Sequence, residues 1–323
     1  MSGWRCIEDA LAEARAAYRN WDRWGPDDTK GTLNFIDDAK RSAAASLVRR
    51  GRAISLAQEF NRDGPQTGFR GRTNPLHTML ESGLDAGHEA QGFAHGFGGA
   101  DDVVVMPLQA STQWDGLGHI FDQKLAWNGR RCADVVTSAG DQVTGIEKMA
   151  ADFISRGVLL DVARALSSDG ELADGFAITE EHIGATIAAQ GQTSAVGRGD
   201  IVLVRTGQLA RCRRRGTWGD YAGGPAPGFS FATLGWLHRS QIAAAATDTW
   251  GFEVRPYEFP APCFSPLHQI AIPNMGLPLG EMFDLEALAG DCAADGVYEF
   301  LLVASPLPVT GAVGAPVTPI AIK

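Results

Sequence analysis

The segment 107–121 concentrates the side chains best suited to chemistry: Pro-Leu-Gln-Ala-Ser-Thr-Gln-Trp-Asp-Gly-Leu-Gly-His-Ile-Phe. Within it, Gln109, Gln113, Asp115 and His119 stand four, two and four residues apart. Even spacing puts all four on one face of an extended segment, and intervals of four also align on a helix. Asp115 offers a charged oxygen, the two glutamines offer carbonyl oxygens and His119 an imidazole, a donor set that suits a divalent cation. Gly116 and Gly118 remove bulk beside Asp115 and His119, as a tight turn around a ligand requires. Gln and Asp beside Gly also satisfy backbone groups in loops. Spacing alone therefore leaves a metal site and a loop device as alternatives.

Other routes to catalysis lack their usual signatures. The chain has no GxxxxGK[ST], no GxGxxG after a strand, no GxSxG and no HExxH. Its five cysteines, Cys6, Cys132, Cys212, Cys263 and Cys292, are scattered. They form neither a CxxC knuckle nor a disulfide framework, which points to a reducing compartment. With 38 acidic against 28 basic residues the net charge is −10, which argues against nucleic acid as a partner. No run approaches 18 uninterrupted apolar residues and the N-terminus has no apolar h-region. The expectation is a cytoplasmic protein with neither a membrane span nor a signal peptide.

At 45% hydrophobic content over 323 residues the chain can fill a core. Residues 5–21 carry a helical apolar period, and Asp37 is placed to cap a helix over about 38–50. Short β-like runs follow at Ala53–Leu56, Val103–Leu108, Gly157–Val162, Ile201–Thr206 and Val297–Val303. Helical patterns at about 145–155, 179–190, 232–246 and 284–295 separate them. That alternation predicts an α/β or α+β fold. Residues 61–101 are rich in Gly, Asn and His without a period, and read as a functional loop or lid. The basic run 211–215 reads as a solvated loop, with an anion or subunit contact as the alternative.

The pattern Gln109-x-x-x-Gln113-x-Asp115-x-x-x-His119 resembles the HxGTHxDxPxH signature of the metal-dependent cyclase family. That family includes bacterial kynurenine formamidases and isatin hydrolases. Here Ser111-Thr112 stands at the Gly-Thr position, Leu117 replaces Pro, and two Gln replace two His, a change similar to the trans-dienelactone hydrolase branch. Further matches follow in order. Residues 157–161 (Gly-Val-Leu-Leu-Asp) resemble the family's GVLLD strand, and residues 199–207 its GDxVLxRTG strand. Thr247-Asp248-Thr249 resembles its GxDxxS stretch, and His268 with Glu281 its C-terminal ligands. Residues 24–34 resemble the N-terminal motif of the longer members.

The resemblance implies a swivelling β/β/α (cyclase-like) α/β domain over 51–323 with an N-terminal helical extension over 1–50. It also implies a homodimer or homotetramer. By position, Gln109, Gln113, Asp115, His268 and Glu281 match the metal ligands, and His119 the catalytic histidine. Two amide oxygens in place of imidazoles make the site harder and shift preference from Zn2+ toward Mn2+. The implied function is hydrolysis of a small lactone, cyclic amide or N-formyl amide. His119 would act as general acid and base, and Glu281 would hold the metal and orient water. A lyase or cyclodehydratase, or a silent ligand-binding relative, are the alternatives. His77, His88 and His95 either line the pocket or are solvated. His182 reads as a surface residue and His238 as a packing one. Trp114, Phe121, Trp127 and Trp250 read as pocket wall or core.

Overall fold

A computed structural model describes residues 6–323. Residues 1–5, where the first helix was expected to begin and where the N-terminus was read for targeting, lie outside the described residues. The architecture grows from strands that lack a polar face. Ile201–Val204 and Ala244–Thr247 are buried at every position, and Ile154–Leu160 over its second half. Strands apolar on both sides belong inside a parallel sheet covered on both faces. These three pair in parallel, and Ala244–Thr247 pairs onward with Leu279–Glu281. Antiparallel strands complete a nine-stranded sheet. Glu299–Val303, Ile320–Ile322 and Ala53–Ser55 extend one flank, and Gln113–Asp115 and Gly314–Pro316 extend the other.

The two-residue period divides the core. Leu159, Ile201, Leu203, Ala244 and Ala246 join one apolar cluster with Trp114, Phe153, Phe283 and Phe300. Val158, Leu160, Val202, Val204, Ala245 and Leu279 join the other with Phe229, Phe252 and Ile270. The helix Ile7–Tyr18 lays Ala10, Leu11 and Ala14 on the second cluster. Its Arg15 pairs with buried Asp122 through two bonds of 2.6 and 2.7 Å. Within residues 24–34, the Asp28 carboxylate accepts from Gly31 N, Asn34 Nδ2 and Trp127 Nε1. Thr32 Oγ1 donates to Ala243 O. The motif therefore ties the chain's start to the sheet. No described helix is long and apolar enough to cross a membrane.

Several expectations need correction. Only a 3₁₀ turn, Ile146–Met149, forms where a helix was expected over 145–155. Over 232–246 a 3₁₀ turn, Phe231–Thr233, runs into the short helix Leu234–Arg239, and the chain then becomes the strand Ala244–Thr247. Alanine favours helix locally, yet its small side chain here allows close packing on both faces of the sheet, and tertiary context overrides propensity. The basic run 211–215 ends a helix, Gln208–Arg215, rather than a loop. Arg211 pairs with Asp174, Arg213 with Asp284 and Arg214 with Glu171. Asp37 does cap the second helix by accepting from Lys40 N, but that helix stops at Ala45.

The segment 61–101 is also more ordered than expected. It contains the strand Leu76–Glu81, which pairs antiparallel with Asp101–Val105, and a short helix Gly83–Gly87. This hairpin carries most of the large exposed apolar side chains: Leu76, Met79, Leu80, Leu84, Phe93, Phe97, Val103, Val104 and Val105. A two-stranded hairpin alone is marginal in water.

Gly280 shows how tightly the sheet is packed where it carries the site. A Cβ there would lie 2.5 Å from Ala246 Cβ, 2.7 Å from the Trp114 ring and 2.8 Å from Phe283. Gly280→Ala is expected to cost about 1–3 kcal/mol through overpacking, read as a lower thermal midpoint. An unchanged midpoint would show that the strands separate without strain.

Candidate functional site

Two three-residue strands create the site. Gln113–Asp115 runs antiparallel to Leu279–Glu281, with Gln113 opposite Glu281, Trp114 opposite Gly280 and Asp115 opposite Leu279. Directly opposed residues share a face. Gln113, Asp115 and Glu281 therefore point one way, while Trp114 points the other way into the aromatic cluster with Phe153 and Phe283. The third contributor is His268, on the helix Pro266–Ile270. Asp115, His268 and Glu281 are all buried, and one ligand atom from each lies within 4.8 Å of the others. Atoms bonded to one ion at 2.0–2.2 Å are separated by up to about 4.4 Å. Small adjustments would close the set on a single ion.

Gln113 Nε2 donates to Asp115 Oδ1 at 3.2 Å and to Glu281 Oε2 at 3.0 Å, bridging the two carboxylates. Its Oε1 is buried without a hydrogen-bond partner. An orphaned acceptor beside two buried carboxylates is a place that lacks a positive group. His268 Nε2 meets Glu281 Oε1 at 3.3 Å, and its Nδ1 meets Glu253 Oε1 at 2.5 Å. Burial works against the imidazolium, but the Glu253 and Glu281 hydrogen bonds outweigh it and lift His268 to about 10. Burial first and the Asp115 charge second push Glu281 up to about 6. His268 Nε2 thus faces the place that a metal would take. Two oxygens and one imidazole nitrogen fit a divalent transition metal.

Glu253 is a buried partner of the cluster that sequence spacing did not reveal. Buried, it also accepts from Leu267 N and His268 N, holding the start of the helix that carries His268. A carboxylate on Nδ1 fixes the tautomer that presents Nε2 to the site. The only signal in the chain is an acid flanked by apolar Phe252 and Val254.

His119 sits in the turn after the strand, 17% exposed at its side chain, with Nε2 3.7 Å from Asp115 Oδ1. Burial holds its pKa below 6.5 despite Asp115, helped by the charges of Arg72, His268 and Arg70. It is a neutral imidazole at the edge of the cluster. Gln109 reaches the neighbourhood from outside the strand. It lies in the turn before the strand, half-buried, with Nε2 beside Gly314. The extended segment is only three residues long, so the turn rather than a strand period places Gln109 beside Gly314, the residue opposite Asp115. Gly116 and Gly118 answer to packing rather than to a ligand. Their missing side chains leave room for Val313 O and the Asp141 carboxylate.

A pocket has Asp115, His119, His268 and Glu281 as its floor and Arg70, Arg72, Trp250 and Phe264 in its wall. His77, His88 and His95 are exposed and take no part in this wall. His77 bonds Asp102 and His88 bonds Leu84 O. His182 caps its own helix at Thr179, and His238 contacts Asn20 and Tyr18. Trp114 and Trp127 are core, Phe121 is exposed, and Trp250 alone of the four aromatics lines the pocket.

Comparisons with known proteins bear on the family and the fold. The Cyclase family model, described as "Putative cyclase", matches residues 44–254. A crystal structure described as a novel cyclase superposes with a TM-score of 0.85 at 35% identity, covering 96% of this chain and 99% of that one. Isatin hydrolase A from Labrenzia aggregata gives a TM-score of 0.58 at 18% identity, with 87% and 96% covered. Isatin hydrolase A from Ralstonia solanacearum gives 0.60 at 15%, with 88% and 97% covered. At those identities the isatin hydrolases share the fold. A search of curated proteins finds no significant match. The α/β cyclase-like fold expected from the motifs is the one observed, and the chain belongs to the cyclase family.

Proposed function

We propose that the protein is a metal-dependent hydrolase of a small lactone, cyclic amide or N-formyl amide. The observation that carries this reading is the convergence of buried Asp115, His268 and Glu281 beside a neutral His119 at one pocket. Isatin hydrolases, named for a cyclic amide, share the fold. Asp115, His268 and Glu281 would hold a divalent ion, Mn2+ or Zn2+, and Glu281 would also orient water. That ion supplies the Lewis acidity that polarises the acyl oxygen. Gln113 keeps the two carboxylates in register through its amide N–H bonds, and Glu253 keeps Nε2 of His268 turned to the site. His119, neutral at working pH, takes a proton from water and returns it to the leaving oxygen or nitrogen.

The free cysteines are compatible with a reducing, cytoplasmic setting. A second copy of the chain covering the apolar hairpin accounts for its exposure better than solvent does. Light scattering is expected to show a dimer or tetramer, and Leu80→Glu to shift it toward monomer. A monomeric wild-type protein would remove this part of the proposal.

Elemental analysis of protein purified without chelator is expected to find a transition metal. Asp115→Asn should lose most of it, because neutralising one of two carboxylates removes charge from the ion's cradle. Glu253→Gln should weaken metal affinity by about 10- to 100-fold. Gln113→Glu should keep the metal while making the metal-free form less stable, since a third buried carboxylate then faces two others. Metal loss that is equal in Asp115→Asn and Gln113→Glu would assign Asp115 a structural role.

His119→Ala should lower kcat by about 10²–10⁴-fold and leave the metal bound. In the wild type the acidic limb of the pH–rate profile should fall below pH 6.5, because the depressed pKa keeps the imidazole neutral further into acid. The variant should lose that limb. Loss of metal along with activity would make His119 a ligand, and full activity would move the proton transfer elsewhere.

A further inference from the structure

Three arginines share the pocket with the acid–imidazole cluster: Arg70, Arg72 and Arg255. Each guanidinium lies over an aromatic ring. Arg70 is 5.2 Å from the Phe264 centroid, and Arg72 and Arg255 are 5.1 and 5.5 Å from that of Trp250. Many other arginines in the chain are matched to carboxylates, as Arg15 is to Asp122 and Arg205 to Asp161 and Glu286. Arg255 donates to the Gly223 carbonyl at 2.6 Å and so buttresses the wall. Arg70 and Arg72 have no carboxylate partner among the described residues. A guanidinium stacked on a ring keeps its N–H edge available for a planar, bidentate anion.

The backbone fixes both side chains. They belong to Gly68-Phe69-Arg70-Gly71-Arg72, where Gly68, Arg70 and Gly71 have φ of 88°, 55° and 77°. Arg70 adopts the left-handed region at a cost of about 1–2 kcal/mol that glycine would avoid. The loop is closed by Gly68 N donating to Arg72 O at 3.0 Å, and Phe69 packs edge-on against Trp250 at 5.8 Å. A divalent ion would neutralise Asp115 and Glu281 and leave the two arginines as uncompensated charge over the pocket. Such a field favours an anionic ligand.

We propose that Arg70 and Arg72 bind a carboxylate of the substrate, so that the compound hydrolysed is an aromatic or planar acyl compound carrying a carboxylate apart from the scissile bond. The proposal rests on the hydrolase reading for what that anion is attached to. The anion site itself is carried by the arginine pair.

The test uses matched probes that differ only in charge. These are 4-formamidobenzoate against 4-formamidobenzamide, and dihydrocoumarin-6-carboxylate against its 6-carboxamide. The carboxylates are expected to show kcat/KM at least about tenfold higher, arising in KM, with Arg70→Met and Arg72→Met each bringing the ratio toward one. A second readout is independent of turnover: calorimetric binding of benzoate against benzamide to metal-replete wild-type protein and the two variants. Benzoate should bind more tightly, and the difference should vanish in the variants. Turnover without charge preference, equal binding of benzoate and benzamide, or a preference that survives both substitutions would overturn the proposal. Benzoate preference without turnover of any probe would leave the anion site standing and remove the hydrolase reading instead.

Discussion

Two carboxylates, Asp115 and Glu281, are held in the protein interior by the pairing of two strands of three residues each. Buried like charges this close are costly unless something positive joins them. Around them the chain supplies the amide N–H bonds of Gln113 and the imidazole of His268. The sheet has to be rigid enough to keep the carboxylates there. Trp114, stacked on Phe153 at 4.8 Å and edge-on to Phe283 at 5.0 Å, anchors the middle of one strand. Gly280 opposite it lets the two backbones approach. Site and core are thus two faces of the same pair of strands.

The electrostatics extend outward in layers. Glu253 holds the far nitrogen of His268 and the start of its helix, so the ring cannot turn away from Glu281. His119, beyond the cluster, is kept neutral by burial in the presence of surrounding cations. Beyond that, the arginines of the wall lack acidic partners. The charge pattern therefore runs from a negative floor to a positive rim, with the neutral imidazole between them. That order suits a cation below, a proton carrier beside it and an anionic substituent above.

Much of the central sheet was legible because its strands are continuous apolar runs. Ile201–Val204 and Ile154–Leu160 fall within or beside the expected spans, and Asp37 marks a helix start by ordinary capping chemistry. Ala244–Thr247 was not legible, because a run of alanines encodes packing space rather than a periodic signal. Of the hairpin 76–105 only the second strand was legible, in the run Val103–Leu108; the first, Leu76–Glu81, is exposed up to its last residue and mixes polar with apolar residues, so no alternation distinguishes inside from outside. The strands of the site, Gln113–Asp115 and Leu279–Glu281, are too short for any period.

The sequence by itself determined the chemical types and their order along the chain: Asp115 and His119 in one motif, and His268 and Glu281 far downstream. Several motifs in register along the chain also pointed to a fold in which those two regions meet. Tertiary structure decided which members of the motif converge and how they are oriented. It brought Gln113, Asp115, His268 and Glu281 together, placed Gln109 in the preceding turn beside Gly314, and added Glu253, Arg70 and Arg72. The reason is geometric. A ligand set is fixed by strand pairing across more than 160 residues, and a three-residue strand carries its face no further than its own ends.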